Sequence, residues 1–279
     1  MINFNGVFTD KSDFITASNR ALLYGDAVFE TLKVVDNKIL FWEEHYFRLM
    51  SSMRILRMKI PMNFTIEYLE DQIISLTSKL NISSSARVRM TIFRNDGGLY
   101  RPDTNEVSFM ITAKECPSKE YVFTKVNYEV ELFKDFHISK HLLSTLKTTN
   151  KITQVVASVF AKENGFEDCL LINDDKNVIE GISGNIFMVL DNHIITPPIS
   201  DGCLNGIMRK QVINELKNFT DLVFEEKSIS PFDLQKADEL FLTNVITGIQ
   251  PITKYRKKEF STSVSEALLK KINLKNNLV

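Results

Sequence analysis

Lys147 is a candidate for covalent chemistry. It lies in the segment HLLSTLKTTNK, between a predicted strand and a helix that begins near Lys151. A lysine just beyond a strand end can project into a cleft, where desolvation lowers the pKa of its amine and frees the amine for Schiff-base chemistry. Most lysines are instead solvated surface groups. The chemical interpretation of Lys147 therefore depends on companion residues elsewhere in the chain.

A second candidate group lies in the segment VIEGISGNIF, residues 178–187. A carboxylate at Glu180, placed against a pyridinium nitrogen, would keep that nitrogen protonated and make the ring an electron sink. The Gly-Ile-Ser-Gly stretch, with Ser183 and Gly184, lets the backbone pass close to a planar ligand. The alternative is a hairpin bend whose Glu180 faces solvent, and this segment by itself favours that alternative.

The segment CLNGIMRKQVI, residues 203–213, predicts an anion site. Gly206 precedes a predicted helix, so the amide groups of Ile207 and Met208 would point outward from its first turn. Unpaired N–H groups at helix N-termini bind phosphate readily. Arg48, in EEHYFRL, could supply a guanidinium for the same phosphate. The alternatives are that Gly206 is an ordinary helix cap and that Arg48 lies on a solvated helix face.

The elements that must position these groups fall into two parts. In the first part, hydrophobic patterning predicts a hairpin around Asp36-Asn37, helices over 41–56 and 66–80, and strands over 86–94 and 106–114. A polar, proline-containing stretch follows near residues 115–121. It favours a linker at 116–122, between an N-terminal α/β domain (1–115) and a C-terminal domain (123–279) that carries Lys147.

The second part is rich in predicted strands. The sequence predicts a strand over 121–130, hairpins around 174–177 and 191–192, and a further strand over 238–244. Helices are predicted from Ile152 to a stop at Asn164-Gly165 and over 208–219. This alternation of strands and helices indicates a mixed α/β architecture.

Composition narrows the range of partners. The formal net charge is −1, from 34 basic and 35 acidic side chains, which indicates no surface for nucleic acid or anionic membrane. No signal peptide or membrane-spanning stretch is recognised, so a cytoplasmic location is expected. Three scattered cysteines provide neither a disulfide framework nor metal-ligand spacing, so we expect reduced, buried thiols and no metal site.

Taken together, these segments resemble the class IV aminotransferase family of fold-type IV pyridoxal-phosphate enzymes. The resemblance runs through nearly the whole chain. NRALLYGDAVFETLKV is similar to the N-terminal motif of the family, and EEHYFRLMSSM to its phosphate-arginine helix. The most specific part is an ordered series at family spacing: Glu180, Asn185, Ile186, Phe187, Thr196, Gly206, Ile207 and Arg209. The resemblance implies an α+β / α/β, two-domain, D-amino-acid aminotransferase-like fold with pyridoxal 5′-phosphate between the domains.

The resemblance also implies roles for individual residues. Lys147 matches the lysine that holds the cofactor as an internal aldimine and moves the proton at the α-carbon of the substrate. Glu180 matches the carboxylate at the pyridine nitrogen. The other implied cofactor-binding residues are Arg48, Lys151, Ser183, Gly184, Asn185, Gly206, Ile207, Met208, Asn244 and Val245. The implied substrate pocket is lined by Tyr24, Phe29, Arg89, Arg94, Tyr100 and Arg101. Family members usually form homodimers.

Departures from the transaminase pattern indicate one branch of the family. Met208 stands where branched-chain and D-amino-acid transaminases have a threonine, and Asn244-Val245 where they commonly have a small hydroxyl residue. Both features, and the loop FRNDGGLYRP, are similar to 4-amino-4-deoxychorismate lyases. Lys151 replaces a tyrosine that touches the cofactor phenolate in branched-chain enzymes, and its cation could stabilise that phenolate.

The expected function is therefore elimination of pyruvate from aminodeoxychorismate, which gives 4-aminobenzoate for folate synthesis. Arg89, Arg94 or Arg101 could hold carboxylates of this small-molecule amino substrate. One alternative is a branched-chain or D-amino-acid transaminase that uses the same lysine and a 2-oxo acid acceptor. The other is a cofactor-binding protein without useful turnover, which an intact Lys147 and Glu180 argue against.

Overall fold

A computed structural model describes residues 1–11, 13–124 and 126–278 of the 279-residue chain. The chain divides into two compact units. The first comprises Met1–Lys119 and Lys147–Asn150, and the second comprises Glu120–Leu146 and Lys151–Val279. The main boundary falls within the stretch predicted as a linker. The grouping of Lys147 differs from the sequence analysis, which assigned this residue to the C-terminal domain.

The first unit is built on a six-stranded sheet with the order β2-β1-β6-β5-β3-β4, in which each neighbouring pair is antiparallel. Its strands are β1 (Ile2–Phe4), β2 (Val7–Thr9), β3 (Ala27–Val35), β4 (Lys38–Ile39), β5 (Ser85–Arg94) and β6 (Val107–Glu115). Its helices are α1 (Arg20–Tyr24), α2 (Trp42–Ile55) and α3 (Ile66–Lys79). One face of the sheet packs on α2 and α3 around side chains such as Leu32, Leu49, Ile73 and Met90.

Local sequence explains much of this unit. The β3–β4 turn places Asp36 and Asn37 at φ 48° and 61°, a left-handed pair that matches the twist of a two-residue hairpin. The side chain of Thr65 accepts a hydrogen bond from the Tyr68 amide and caps α3. The predicted hairpin, both predicted helices and both predicted strands of this part are confirmed.

The second unit contains a ten-stranded sheet. Eight strands follow the order β12-β11-β10-β9-β8-β7-β15-β16, while β13 pairs with β10 and β14. The strands are β7 (Glu129–Leu132), β8 (Asp168–Ile172), β9 (Val178–Gly181), β10 (Asn185–Leu190), β11 (His193–Thr196), β12 (Val223–Glu226), β13 (Glu239–Asn244), β14 (Gly248–Ile252), β15 (Lys254–Tyr255) and β16 (Lys258–Glu259). The helices are α4 (Ile152–Asn164), α5 (Ile207–Leu216) and α6 (Ser263–Lys275).

Several elements of this unit differ from the sequence-based expectations. The strand predicted over 121–130 is reduced to Glu129–Leu132, and Lys125 lies outside the described residues. A short 3-10 helix, Leu142–Thr145, precedes Lys147 in place of a strand. No helix was predicted from the sequence over the residues of α6. Its N-terminus depends on a distant residue, because the Glu239 carboxylate accepts hydrogen bonds from the amides of Val264 and Ser265. Such a long-range cap has no local sequence signal.

Within the described residues, no helix combines the length and apolar character that crossing a membrane requires. The same residues contain no group of His, Cys, Asp or Glu that could hold a metal ion.

Candidate active site

The Lys147 segment is held as a short strand against the edge of β3. The amide of Phe29 donates a hydrogen bond of 2.9 Å to the carbonyl oxygen of Lys147, and Thr149 donates one of 3.1 Å to the carbonyl oxygen of Ala27. Val28 and Thr148 form an isolated antiparallel bridge between these two bonds. The half-buried Lys147 side chain places Nζ 4.7 Å from the centroid of the Phe29 ring. An amine in this environment is partly desolvated, as Schiff-base chemistry requires.

A close backbone approach secures the end of this segment. Thr149 and Asn150 both donate side-chain hydrogen bonds to the carbonyl oxygen of Gly25, at 3.1 and 2.9 Å. Gly25 has φ +64°, and a Cβ atom there would lie 2.4 Å from Oδ1 of Asn150. The glycine at position 25 therefore adopts this φ without strain and leaves room for the Asn150 side chain.

Arg48 lies on α2 and is bound by a buried carboxylate of β3. Its Nε donates to Oε1 of Glu30 at 2.8 Å, and its Nη2 contacts Oε2. The His45 ring nitrogen Nδ1 lies 2.7 Å from the same Oε2. The Arg48 side chain is 12% exposed, so the alternative of a solvated helix face is wrong. Neither Glu30 nor His45 was predicted from the sequence as a functional candidate.

The charges of this cluster shift two pKa values. Burial raises the pKa of Glu30, but the charge and hydrogen bonds of Arg48 and His45 outweigh burial and lower it to about 2. Burial lowers the pKa of His45, and the Glu30 carboxylate offsets this only in part. Glu30 is therefore ionised and His45 is neutral at pH 7. The sequence signal that could have revealed the cluster was a glutamate in the middle of AVFETLKVV, where Lys33 is the one other charged residue.

Arg89 lies beside Phe29, and both side chains are on the face of the sheet opposite to helices α2 and α3. Its guanidinium carbon is 3.6 Å from the Phe29 ring centroid, and its Nε donates to Oγ1 of Thr91 at 3.2 Å. Burial, and then the charge of Arg87, lower the pKa of Arg89. The structure thus brings two cationic groups, those of Arg89 and Lys147, to the ring of one aromatic residue.

The remaining predicted substrate residues of the first unit have different environments. The rings of Tyr24 and Tyr100 lie 5.6 Å apart, and Tyr100 is 91% exposed. Arg101 is also exposed. Arg94 is buried, and its guanidinium donates to the Asp26 carboxylate, the Asn105 side chain and the carbonyl oxygens of Leu56 and Arg57. These contacts contradict a substrate role for Arg94, because its N–H groups are engaged within the fold.

In the second unit, Glu180 lies on β9 and is 8% exposed. Its Oε2 accepts a hydrogen bond of 2.9 Å from the amide of Leu204. Asn185 lies opposite Glu180 in the β9–β10 register and donates from Nδ2 to the carbonyl oxygen of Leu204 at 2.8 Å. The alternative of a solvent-facing Glu180 is therefore wrong. Glu180 and Asn185 together fix the backbone that leads into α5.

The N-terminus of α5 is shaped so that a side chain cannot cover it. Gly206 is the N-cap residue, and it forms no side-chain capping bond to the amides of the first turn. A Cβ atom at Gly206 would lie 1.9 Å from Oδ1 of Asn185. The amides of Ile207 and Met208 belong to the first turn, which lacks intrahelical partners and carries the positive end of the helix dipole. A helix N-terminus without a side-chain cap suits a phosphate group.

Lys151 is the N-cap residue of α4 in the second unit. Burial lowers its pKa, while the negative charge of Glu180 partly offsets this effect. A lysine whose charge is influenced by the carboxylate of Glu180 lies within electrostatic range of that group. The charge of Glu180 is thus one of the two influences on the pKa of Lys151.

The other predicted cofactor residues of this unit have mixed environments. Oδ1 of Asn244 accepts hydrogen bonds from the amides of Ile246 and Thr247, at 3.0 and 2.9 Å, and so forms the turn after β13. The carbonyl oxygen of Val245 accepts a hydrogen bond from the Tyr121 hydroxyl. Ser183 is exposed. At Gly184, a Cβ atom would lie 2.9 Å from the carbonyl oxygen of Thr243, so this glycine permits close strand contact.

Comparison with known proteins shows which family this chain is similar to. The model of the amino-transferase class IV family matches residues 27–255. A provisionally named branched-chain-amino-acid aminotransferase of Methanocaldococcus jannaschii is 30% identical over 257 residues, which cover 90% of this chain and 86% of that protein. An aminodeoxychorismate lyase of Vibrio harveyi is 26% identical and covers 86% of each chain.

A solved structure supports the fold. The branched-chain amino acid aminotransferase of Escherichia coli superimposes with a TM-score of 0.86 at 22% identity and covers 98% of this chain and 93% of that one. The expected α+β fold of class IV aminotransferases is confirmed. The chain therefore belongs to the class IV aminotransferase family, whose members are enzymes that use pyridoxal 5′-phosphate.

Proposed function

We propose that this protein is a 4-amino-4-deoxychorismate lyase that uses Lys147 as its catalytic residue. The single observation that supports the catalytic assignment is the fixed position of Lys147, whose half-buried amine lies 4.7 Å from the Phe29 ring centroid. The assignment to the lyase branch is supported by Met208 at the phosphate helix, Asn244 at the end of β13, and Lys151 in place of a tyrosine.

The proposed cofactor residues divide into three roles. Lys147 would bind the aldehyde carbon of pyridoxal 5′-phosphate covalently. Glu180 accepts a hydrogen bond from the protonated pyridine nitrogen, and the amides of Ile207 and Met208, with Arg48, bind the phosphate. When bound, the cofactor supplies an electron sink for the bond that is broken at the substrate α-carbon. Lys151 is proposed to lie against the phenolate oxygen.

The proposed reaction needs one proton acceptor from the chain. The Lys147 amine would remove the proton from the carbon that bears the substrate amine. The C–O bond to the enolpyruvyl group then breaks, the ring becomes aromatic, and pyruvate leaves after protonation of its enol carbon. Aromatisation provides much of the driving force, so positioning and deprotonation are the main tasks of the protein. Arg89 and Arg101 are the proposed carboxylate-binding residues.

The second candidate is a branched-chain or D-amino-acid transaminase with the same lysine. It is supported by the 30% identity to the Methanocaldococcus jannaschii protein named for branched-chain amino acids. Both activities begin with the same exchange of amines and removal of the same proton. In the transaminase, the amino group of the substrate remains on the cofactor. In the lyase, the substrate loses pyruvate as a leaving group and keeps its amino group.

A product assay tests the proposal. Purified holoprotein is incubated with aminodeoxychorismate in the absence of any 2-oxo acid, and pyruvate and 4-aminobenzoate are measured separately. Equal amounts of both products, absent with the Lys147→Ala variant, would support the lyase. Rapid conversion of the cofactor to its amine form by L- or D-amino acids, without pyruvate release from aminodeoxychorismate, would favour the transaminase.

We also propose that the protein acts as a cytoplasmic homodimer, as the family resemblance implies. Exposed apolar side chains in the first unit support a partner surface: Leu22 and Leu23 are 69% and 53% exposed, and Leu99 is 76% exposed. Light scattering on the purified protein would give a mass near twice the 32.0 kDa of one chain. A monomer at micromolar concentration would contradict this proposal.

A further inference from the structure

Glu30 is an unusual residue for the centre of a buried strand. It is 1% exposed on β3, and both of its carboxylate oxygens are engaged, Oε1 by Arg48 and Oε2 by Arg48 and His45. Taking a carboxylate out of water is costly, and replacing a buried ion pair by apolar side chains is often neutral or stabilising. A contribution to stability alone therefore explains Glu30 poorly.

Glu30 contacts Arg48 through two nitrogens of the guanidinium, and such a two-point contact fixes the orientation of the group. Nε and Nη2 both face Glu30, so the planar group is held along one edge and its Nη1 edge is directed away from the carboxylate. An arginine side chain loses considerable rotamer entropy when it is fixed by a ligand. Fixing the side chain in advance removes much of that cost from the binding step.

His45 completes the arrangement. It lies three residues before Arg48 on α2, so both side chains share one helix face. A neutral imidazole whose Nδ1 donates to Glu30 presents its other nitrogen, Nε2, as an acceptor. Among the described residues, Nε2 has no hydrogen-bond partner, although the side chain is fully buried. Glu30 thus fixes the tautomer of one residue and the orientation of another.

We propose that Glu30 is a positioning residue for the cofactor phosphate: it holds the Arg48 guanidinium so that the edge directed away from Glu30 binds the phosphate. The inference rests on the proposed function, which assigns Arg48 to the phosphate. The register of β3 adds to it, since the adjacent residue, Phe29, holds Lys147. Adjacent residues of one strand thus hold the Lys147 segment and Arg48, and the charge of Lys147 contributes to lowering the pKa of His45 in the same cluster.

The test compares two ligands that differ only in the phosphate. Dissociation constants of pyridoxal 5′-phosphate and pyridoxal are measured by equilibrium dialysis on protein stripped of cofactor. The variants are Glu30→Gln, Arg48→Ala and the double variant. Free pyridoxal closes to an internal hemiacetal that pyridoxal 5′-phosphate cannot form, so the phosphate contribution is taken from the change in the ratio of the two constants between wild type and each variant. Glu239→Gln is the matched control, as Glu239 is also 1% exposed and caps α6 instead.

In the expected result, Glu30→Gln lowers the preference for the phosphorylated ligand about tenfold, the scale found for groups that orient other ligand-binding side chains. Arg48→Ala lowers it further, and adding Glu30→Gln to Arg48→Ala has no additional effect, because Glu30 acts through Arg48. Glu239→Gln leaves the preference unchanged. Glu30→Asp, which keeps the charge, retains part of the preference.

Three results would overturn the inference. The first is an unchanged preference in Glu30→Gln together with a reduced one in Arg48→Ala, which leaves the proposed function intact. The second is tighter binding of pyridoxal 5′-phosphate by Glu30→Gln, which would show that the carboxylate only neutralises Arg48. The third is an unchanged preference in Arg48→Ala, which would remove the phosphate assignment itself. If Glu30→Gln does not fold, a wild-type preference in Glu30→Asp would have the same meaning as the first result.

Discussion

The amide nitrogen of Phe29 donates a hydrogen bond of 2.9 Å to the carbonyl oxygen of Lys147, while the Phe29 ring lies beneath the amine of the same lysine. This edge of β3 is available because β4 pairs only with Val34 and Val35. The Lys147 segment therefore adds to β3 as a short antiparallel strand. Through backbone and side chain together, Phe29 fixes where the proposed nucleophile lies.

Replacing Lys147 tests the covalent assignment. In Lys147→Ala, borohydride should trap no cofactor on the protein, and lyase activity should fall at least about 10³-fold, because the group that binds the cofactor and moves the proton is lost. Lys147→Arg keeps the positive charge but should be equally inactive. Mass spectrometry of the reduced protein provides the measurement. Cofactor trapped on another lysine in wild-type protein would contradict the assignment.

Replacing Glu180 should separate cofactor attachment from turnover. In Glu180→Gln the cofactor should remain covalently bound, but the rate should fall roughly 10²-fold or more, because a neutral amide no longer stabilises a protonated ring nitrogen. The Leu204 amide keeps an acceptor, since glutamine retains a side-chain oxygen at the position of the Glu180 contact. Single-turnover kinetics with stoichiometric borohydride trapping provide the comparison. A rate within twofold of wild type would exclude this role for Glu180.

Adding one methyl group at Gly206 should damage the phosphate site. A Cβ atom would lie 1.9 Å from Oδ1 of Asn185, so either that side chain or the α5 N-terminus must move. We expect Gly206→Ala to weaken cofactor binding by tenfold or more, on the order of one charge-assisted hydrogen bond to phosphate. The control is Gly165→Ala, where nothing lies within 4 Å but φ is +75°. It should lower stability by about 1–2 kcal/mol and leave cofactor affinity unchanged.

Two arginines of β5 should respond differently to replacement. Arg94→Ala should lower the free energy of unfolding by about 3 kcal/mol, because it removes one of the two buried guanidinium groups that bind Asp26 and leaves the carbonyl oxygens of Leu56 and Arg57 without their Arg94 donor. Arg89→Ala should change stability by less than about 1 kcal/mol but raise the KM for the substrate. Urea titration and steady-state kinetics distinguish the two. An Arg89→Ala variant with unchanged KM would remove Arg89 from the proposed pocket.

His45 should make stability depend on pH. Because burial lowers the pKa of His45 in the folded chain below the ordinary histidine value of about 6.5, the unfolded chain takes up a proton first as the pH falls. Stability should therefore decline below about pH 6.5, with a slope of up to about 1.4 kcal/mol per pH unit. Glu30 stays ionised throughout this range, since its pKa is about 2.

Comparison of His45→Gln with His137→Gln isolates this effect. Free energies of unfolding are measured by urea titration between pH 5 and pH 7.5. His45→Gln should flatten the decline, whereas His137→Gln, which changes an exposed histidine, serves as the control for losing any histidine. Parallel curves for wild type and His45→Gln would contradict the prediction.

Sequence by itself determined the local elements and the family. The left-handed pair Asp36-Asn37 specified the β3–β4 hairpin, and the 3.6-residue apolar repeat specified α2 and α3, because both signals depend on neighbouring residues. The ordered motif residues from Glu180 to Arg209 identified the class IV aminotransferases. An apolar repeat at Leu268, Leu269 and Ile272 was also present in α6, and only the cap of its N-terminus by Glu239 lay beyond local signals.

Tertiary structure alone decided how the candidate groups are held. Arg48 meets the carboxylate of Glu30 across 18 positions, and Lys147 pairs with a strand more than a hundred residues earlier. The tertiary structure also shows that Arg94 has a structural role, whereas the sequence predicted a substrate role for both Arg94 and Arg89. The physical reason is that a buried polar group needs a hydrogen-bond partner, and that partner can be distant in the sequence. The spacing of residues along the sequence does not show which distant residues become such partners.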